Sequence, residues 1–264
     1  MAAPVVADPD MRADAVRRLV AQAERDGEVA LTPLGGMDLC TLGGPRHAVL
    51  PKSLMDAWLN MRPGERDEFI SHSTGRLVRE GVLIPDPGNG VRHGYKMSPE
   101  LGIILAARCR PAFVVVAQTS GTLLPSLSLF AFGDQDQPVR AFLSEILFKI
   151  PGADGKRRIS SARLLTCVYV YHLVTLDRAA SHLTDWAITP TGEQRGWRKG
   201  TVRTLTRIQP DEEQQKFAYR LTMPSNDTTV HITGLDKDDR QAERSCDRRE
   251  LETIMTQLLN GDIT

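Results

Sequence analysis

The amino-acid sequence predicts an α+β fold, in which antiparallel sheet is flanked by helices. Apolar residues recur at helical spacing in several segments, most clearly at Leu251, Ile254, Met255, Leu258 and Leu259. Short apolar runs separated by turn residues predict strands that double back, as on either side of residues 85–90. A hydrophobic content of 41% and a charged content of 25% are ordinary for a globular protein.

Length and charge narrow the class of protein. The chain has 264 residues, enough for one large or two small domains. Lys+Arg and Asp+Glu number 33 each, and this balance argues against a large nucleic-acid or anionic-membrane footprint. No apolar run approaches the roughly 20 residues of a membrane span. The first residues lack a signal-peptide pattern, so we expect a cytoplasmic protein.

Glycine and proline divide the chain into three predicted segments. Residues 1–45 combine a helix over 10–25 with a Gly-rich stretch, where Met37, Leu39 and Thr41 predict a short strand or hairpin. Residues 46–150 contain a winged-helix-like unit followed by a hairpin and a helix. The Gly- and Pro-rich residues 151–155 mark a domain boundary. Residues 156–264 then hold helices, an antiparallel sheet and a closing helix.

Residues 51–97 have the outline of a winged helix. A helix over 53–60 and a longer one that ends at Gly81 precede strands over 82–84 and 91–97. In a DNA-binding winged helix, the second helix enters the major groove and basic residues meet phosphates. Arg76, Arg79 and Arg92 are the candidate nucleic-acid contacts here. Neighbouring acidic residues nearly cancel their charge, and such a unit can equally be structural or bind protein.

Downstream elements complete the predicted layout. Ser98, Pro99 and Glu100 predict the start of a helix that ends near residue 110, and strands follow over 112–118 and 127–132. Helices are predicted over 138–150, 162–174 and 177–186, and strands over 197–208, 217–223 and 228–232. A charged segment over 236–249 leads into the closing helix. Strand, acidic turn and helix recur at 130–147 and 230–259, which suggests a two-fold internal pseudo-repeat.

The residue types that commonly carry chemistry do not form a known motif. The four cysteines are far apart, with no CxxC pair, and the six histidines have neither HxH nor HExxH spacing. The GxSxG elbow and the GxGxxG and GxxxxGK[ST] loops are also missing from the sequence. We therefore expect no catalytic residues, no metal site and no cofactor, although a site built from distant residues or shared with a partner stays open.

The connection between the strands predicted over 112–118 and 127–132 has an unusual composition. A hairpin tip is normally polar, yet Leu123, Leu124 and Pro125 lie here. Either the loop folds back on the core, or it presents an apolar contact patch to a partner. These three residues are the candidate partner-binding site.

The sequence resembles the EspG family of actinobacterial chaperones associated with type VII (ESX) secretion. The resemblance lies in LVREGVL at 77–83 and in SPELGIILAARCRPAFVVV at 98–116, and it extends loosely over residues 45–262. It implies a cytosolic, non-enzymatic protein that binds helical secretion substrates through a sheet loop and nearby helices. Leu123 to Pro125 would be the corresponding loop. The long, polar-rich strands at 197–208 and 217–223 depart from the family pattern.

Three functional hypotheses follow from these observations. The first is a non-enzymatic cytosolic chaperone or adaptor, EspG-like, that binds a helical protein partner through apolar loop residues. The second is a winged-helix transcriptional regulator that binds DNA. The third is an accessory subunit of a biosynthetic enzyme complex, with catalysis supplied by another chain.

Overall fold

The structure, a computed structural model, describes most of the chain. The described residues are 9–43, 47, 50–86, 94–122, 124–132, 141–149, 165–188, 202–209, 216–222, 230–235 and 241–260. They belong to two compact units, one of residues 1–110 and 146–173 and the other of residues 111–145 and 174–264. Helices and antiparallel strands occur in both, which confirms the predicted α+β class. The predicted boundary at 151–155 lies outside the described residues.

The first unit contains five helices among its described residues: α1 Pro9–Asp26, α2 Gly36–Leu42, α3 Lys52–Leu59, α4 Pro63–Arg79 and α5 Pro99–Cys109. Proline opens α4 and α5, where its fixed φ suits the first helical turn. Ser98 caps α5 as predicted, because its side-chain oxygen accepts a hydrogen bond from the Leu101 N–H at 3.2 Å. Gly81, at φ +71°, lets the chain leave α4 in the left-handed region.

Two sets of strands accompany these helices. Strands β2 Leu83–Pro85 and β3 Tyr95–Met97 form an antiparallel pair in which Leu83 opposes Met97. The larger set has the order β1-β7-β6, with β1 Glu28–Gly35, residues 168–173 of β7 (Val168–Val174) and residues 146–149 of β6 (Ala141–Lys149).

The second unit is built on a longer antiparallel sheet. Its strand order is β6-β5-β4-β8-β9-β10-β11, with β4 Val114–Thr119, β5 Leu127–Phe132, β8 Val202–Ile208, β9 Lys216–Thr222, β10 Val230–Leu235 and β11 Gln241–Cys246. Val114 opposes Phe130 of β5 on one side and Ile208 of β8 on the other. The strand predicted over 112–118 is therefore internal, as its apolar composition indicated.

Two helices of the second unit, α6 Leu176–Ile188 and α7 Arg248–Asn260, pack against each other. Both were predicted from sequence. The apolar face of α7 is fully buried, which confirms the helical spacing of Leu251, Ile254, Met255, Leu258 and Leu259. Arg207 of β8 stacks its guanidinium 3.8 Å from the Phe113 ring centroid and donates to the Leu258 carbonyl near the end of α7.

Four elements differ from the sequence prediction. The helices predicted over 138–150 and 162–174 are wrong, because residues 141–149 and 168–174 form strands β6 and β7. The strand or hairpin expected around Met37, Leu39 and Thr41 is helix α2, and the strand of this region is β1, just before it. The charged segment 236–249 contains strand β11.

These differences bear on the predicted internal repeat and the predicted winged helix. The segment 130–147 continues into a strand rather than a helix, so it does not match 230–259 as proposed, and the pseudo-repeat is not confirmed. Elements α3, α4, β2 and β3 occur in the predicted order. The tip between the two strands lies outside the described residues, and a winged-helix geometry is not confirmed.

None of the helices among the described residues combines the length and the apolar character needed to cross a membrane.

We expect Ser98→Ala to lower the free energy of unfolding by about 1 kcal/mol, because it removes the side-chain acceptor at the start of α5. Urea unfolding measures this loss. Ser98→Asp is the matched control, since aspartate also caps a helix and should retain most of the stability. Equal unfolding midpoints for Ser98→Ala and the wild type would contradict the assigned cap.

Candidate functional site

The predicted partner-binding loop is partly buried in the structure. Leu124 is buried, with only 1% of its surface exposed, and Pro125 is half-buried. Leu123 lies outside the described residues. The connection is closed by two bonds to the Thr119 carbonyl, which accepts from the Thr122 hydroxyl at 2.7 Å and from the Thr122 N–H at 3.1 Å. The prediction that Leu124 belongs to an exposed apolar patch is therefore wrong. At Leu124 the loop folds back on the core.

Of the candidate nucleic-acid contacts, the structure describes Arg76 and Arg79. Arg76 forms ion pairs with both Asp38 and Glu80. Arg79 is exposed on the last turn of α4, and Arg92 lies outside the described residues. A phosphate contact by Arg76 would have to compete with two carboxylates that already neutralise its charge.

The carboxylate that holds Arg76 is the centre of a buried network in the first unit. Asp38 of α2 is buried, and its Oδ2 accepts from the Gly35 N–H at 2.6 Å and from the Arg76 guanidinium. Its Oδ1 accepts from the Ser73 hydroxyl at 2.5 Å. Both oxygens are thus satisfied by donors, as a buried charge requires. The network joins the start of α2 to the middle of α4.

A second polar group in the same unit surrounds Arg108 of α5 and is called here the Arg108 cluster. Its members are buried and come from three distant parts of the sequence: Arg108, Cys40, Cys167, Tyr169 and Tyr171. Burial raises the pKa of Cys40 to about 12, and the nearby Arg108 only partly opposes this. Burial likewise raises the pKa of Cys167. These thiols stay protonated at neutral pH and act as packing groups, because the thiolate is the reactive form.

His47 lies beside this cluster and contacts Cys109. Its Nε2 is 3.0 Å from the Leu39 carbonyl, and its Nδ1 is 3.9 Å from the Cys109 Sγ. Burial, together with the nearby charge of Arg108, lowers the pKa of His47 to about 3. We infer a neutral ring that donates from Nε2 and accepts from the thiol at Nδ1. A charged imidazolium–thiolate pair is disfavoured here, although the two side chains have the contact of a nucleophile and its base.

Gly43 is required by the same packing. A Cβ added at Gly43 would lie 2.5 Å from the His47 ring, closer than any van der Waals contact allows. Gly43, within the Gly-rich stretch, therefore makes room for the imidazole.

Sequence reasoning missed this arrangement because its members are not neighbours in the chain. The contact joins Cys109 to His47, which are 62 residues apart. No local spacing indicates such a pair. Among the residues that the structure describes, no group of three His, Cys, Asp or Glu side chains is placed to hold a metal ion.

Comparisons with known proteins add no relative. No protein-family model matches the chain, and a search of curated proteins found no similar sequence. The resemblance to the EspG family therefore remains a hypothesis that rests on the residues quoted from the sequence.

His47 predicts a pH dependence of stability. Its pKa is about 3 when folded and near 6.5 when unfolded, so its contribution is fully present above about pH 6.5. As the pH falls towards 3, the unfolded chain binds a proton that the folded chain excludes. The free energy of unfolding then falls by up to about 1.4 kcal/mol per pH unit.

Urea unfolding between about pH 4 and pH 7 measures this slope. His47→Gln should lose stability less steeply with falling pH than the wild type. His72→Gln, which replaces an exposed histidine of α4, is the matched control and should keep the wild-type slope. A slope for His47→Gln equal to that of the wild type would contradict a buried, neutral His47.

Leu124→Ala should lower the free energy of unfolding by about 2–5 kcal/mol, because it leaves a cavity at a buried site. Leu59→Ala is the matched control. Leu59 is exposed, so its truncation should cost no more than about 0.5 kcal/mol. Equal losses for the two variants, measured by urea unfolding, would show that Leu124 is not a core residue.

Proposed function

We propose that the protein is a cytoplasmic, non-enzymatic adaptor or chaperone that binds a helical protein partner. The observation that supports this most directly is the exposure of Phe148, whose side chain is 72% accessible. Leu59 and Ile84, also in the first unit, are 55% and 50% accessible. A large apolar side chain that is mostly exposed is a candidate contact for a protein partner.

Phe148 lies near the end of β6, where the apolar sequence continues beyond the core. Ile146 and Leu147 are half-buried, and the next residue, Phe148, is exposed. Burying such a ring in a partner is worth roughly 1.5–3 kcal/mol by transfer of apolar surface alone. Aromatic side chains are also enriched among the residues that dominate interface energies. A partner that covers this end of β6 would gain from both effects.

The resemblance to the EspG family supplies the class of partner, a helical secretion substrate. Under that resemblance the contact was expected at Leu123, Leu124 and Pro125. Leu124 is buried in the core, so we assign the main apolar contact to Phe148 and a second contact to Leu123. The proposed activity is still the binding of a helical partner, but the main contact surface moves from the loop to the end of β6.

DNA binding and an accessory-subunit role are the two alternative functions. DNA binding by the α3–α4 unit depends on Arg76, Arg79 and Arg92, and Arg76 is held by Asp38 and Glu80. Salt-dependent DNA binding that Arg79→Ala weakens would favour it. An accessory-subunit role predicts that the co-purified partner is an enzyme rather than a secretion substrate.

Phe148→Asp should abolish stoichiometric co-purification with a co-expressed helical substrate, because it places a charge in the apolar contact. Size-exclusion chromatography with light scattering measures the complex. Arg79→Asp is the matched control, since it introduces the same side chain at an exposed site of the same unit.

The fold of Phe148→Asp is checked by its urea midpoint, which should stay near that of the wild type because the side chain is exposed. An unchanged complex with folded Phe148→Asp would overturn the assignment. Retention by Phe148→Asp combined with loss on Leu123→Asp would return the contact to the loop.

A further inference from the structure

The sheet of the second unit has one face against helices and one polar face. In β8, the Arg203 guanidinium lies 5.1 Å from the centroid of the Trp186 ring of α6, and Arg207 donates to the Leu258 carbonyl of α7. Side chains alternate between the two faces of a strand. The even-numbered residues of β8 therefore lie on the face opposite these two helices.

That face continues across four strands, because directly opposed residues of antiparallel strands share a face. The strand registers give two rows, one of Thr204, Arg220, Thr233 and Glu243, and one of Val202, Thr222, His231 and Ser245. These eight residues are called here the polar face. The Ser245 Oγ lies 2.9 Å from the His231 Nδ1, so these two side chains lie side by side. Arg220, Glu243 and Ser245 are exposed, and the other five residues are half-buried.

The polar face carries one arginine and one carboxylate, both open to solvent. Arg220 on β9 and Glu243 on β11 lie in the same row, with Thr233 of β10 between them. Two strand spacings separate the Cα atoms of Arg220 and Glu243 by about 9.5 Å. The arrangement is symmetric about β10, with a cation on one side and an anion on the other.

We propose that the polar face is the interface of a homodimer, in which it packs against the polar face of a second copy of this chain. A two-fold axis that runs parallel to β10, between the two faces, lays β9 over β11 of the second copy. Arg220 then faces Glu243 of the second copy, and Glu243 faces its Arg220. The same operation brings Thr222 opposite Ser245 of the second copy, so that hydroxyls, which both donate and accept, meet each other.

Side-chain lengths fit this contact. Packed sheets lie about 10 Å apart, a distance that an arginine and a glutamate can bridge between them. The shorter threonine side chains leave space for bridging waters. Two symmetric ion pairs and a set of hydrogen bonds therefore hold the interface. Because the face is small and polar, the dimer is reversible and weakens as salt concentration rises.

Charge also distinguishes this arrangement from other occupants. Antiparallel pairing of two β11 edges, centred on Glu243 or on Arg244, would place that residue opposite its own copy. Centred on Ser245, the pairing would place Glu243 opposite Asp247. Like charges directly opposite each other destabilise a sheet. A nucleic acid on the polar face would meet Glu243 as well as Arg220, whereas a second copy satisfies both.

Charge reversal tests the proposal. Arg220→Glu and Glu243→Arg should each weaken the dimer about tenfold or more, because each places like charges opposite each other at two symmetric positions. The double variant, Arg220→Glu with Glu243→Arg, should restore the affinity of the wild type. Sedimentation equilibrium at low salt, over a dilution series from millimolar to micromolar protein, measures the dissociation constant of the dimer.

Arg249→Glu is the matched control, because it makes the same change at an exposed site of α7 outside the polar face and should dimerise as the wild type does. Phe148→Asp separates this interface from the proposed partner contact and should leave the dimer unchanged. Wild-type protein that is monomeric at every concentration would overturn the proposal. A double variant that dimerises no better than the single variants would also overturn it, as would loss of the dimer in Phe148→Asp.

Discussion

The buried carboxylate of Asp38 is the constraint on which the first unit depends. Both of its oxygens are engaged, and their donors come from the end of β1 and from two turns of α4. Removing one partner of a buried ion pair lowers the free energy of unfolding by about 3–5 kcal/mol, because the remaining charge stays desolvated. The pair therefore sets how α2 meets α4 more than it adds net stability. It also pairs Arg76 with a buried carboxylate, so one of the three candidate DNA contacts is already neutralised.

Buried guanidinium groups recur in both units with different surroundings. Arg108 lies among thiols, phenols and a neutral imidazole, and Arg203 is stacked on an indole beside a threonine hydroxyl. A chain with zero formal net charge has nonetheless placed positive charge in its interior. Burying such a group is costly unless it is hydrogen-bonded, so these positions tolerate little change in shape or polarity. They are specified by partners that are distant in sequence.

The sequence predicted correctly those helices in which capping residues and apolar periodicity indicate the same element. Ser98 with Pro99 marked the start of α5, and the spacing of Leu251 to Leu259 marked the buried face of α7. The run at 141–149 fits neither period cleanly, and in the structure it is a strand because it pairs with the preceding strand β5 and the following strand β7. The alternating Val and Tyr residues of 168–171 did carry a strand signal, which their apolar character obscured. In the Asp38 network, Ser73 is separated from Asp38 by 35 positions and Arg76 by 38 positions. No local motif spans such separations.

The strand assignment of β6 also changes which apolar residues face outward. In a helix, Ile146 and Phe148 would lie about 200° apart around the axis, whereas in a strand they share one face. That face passes from half-buried Ile146 to exposed Phe148 within two residues. Leu124 was a candidate for partner contact because hairpin tips are usually polar, yet its side chain is buried in the core. Phe148, the side chain that we propose for the partner contact, lies in a segment whose composition had predicted a helix.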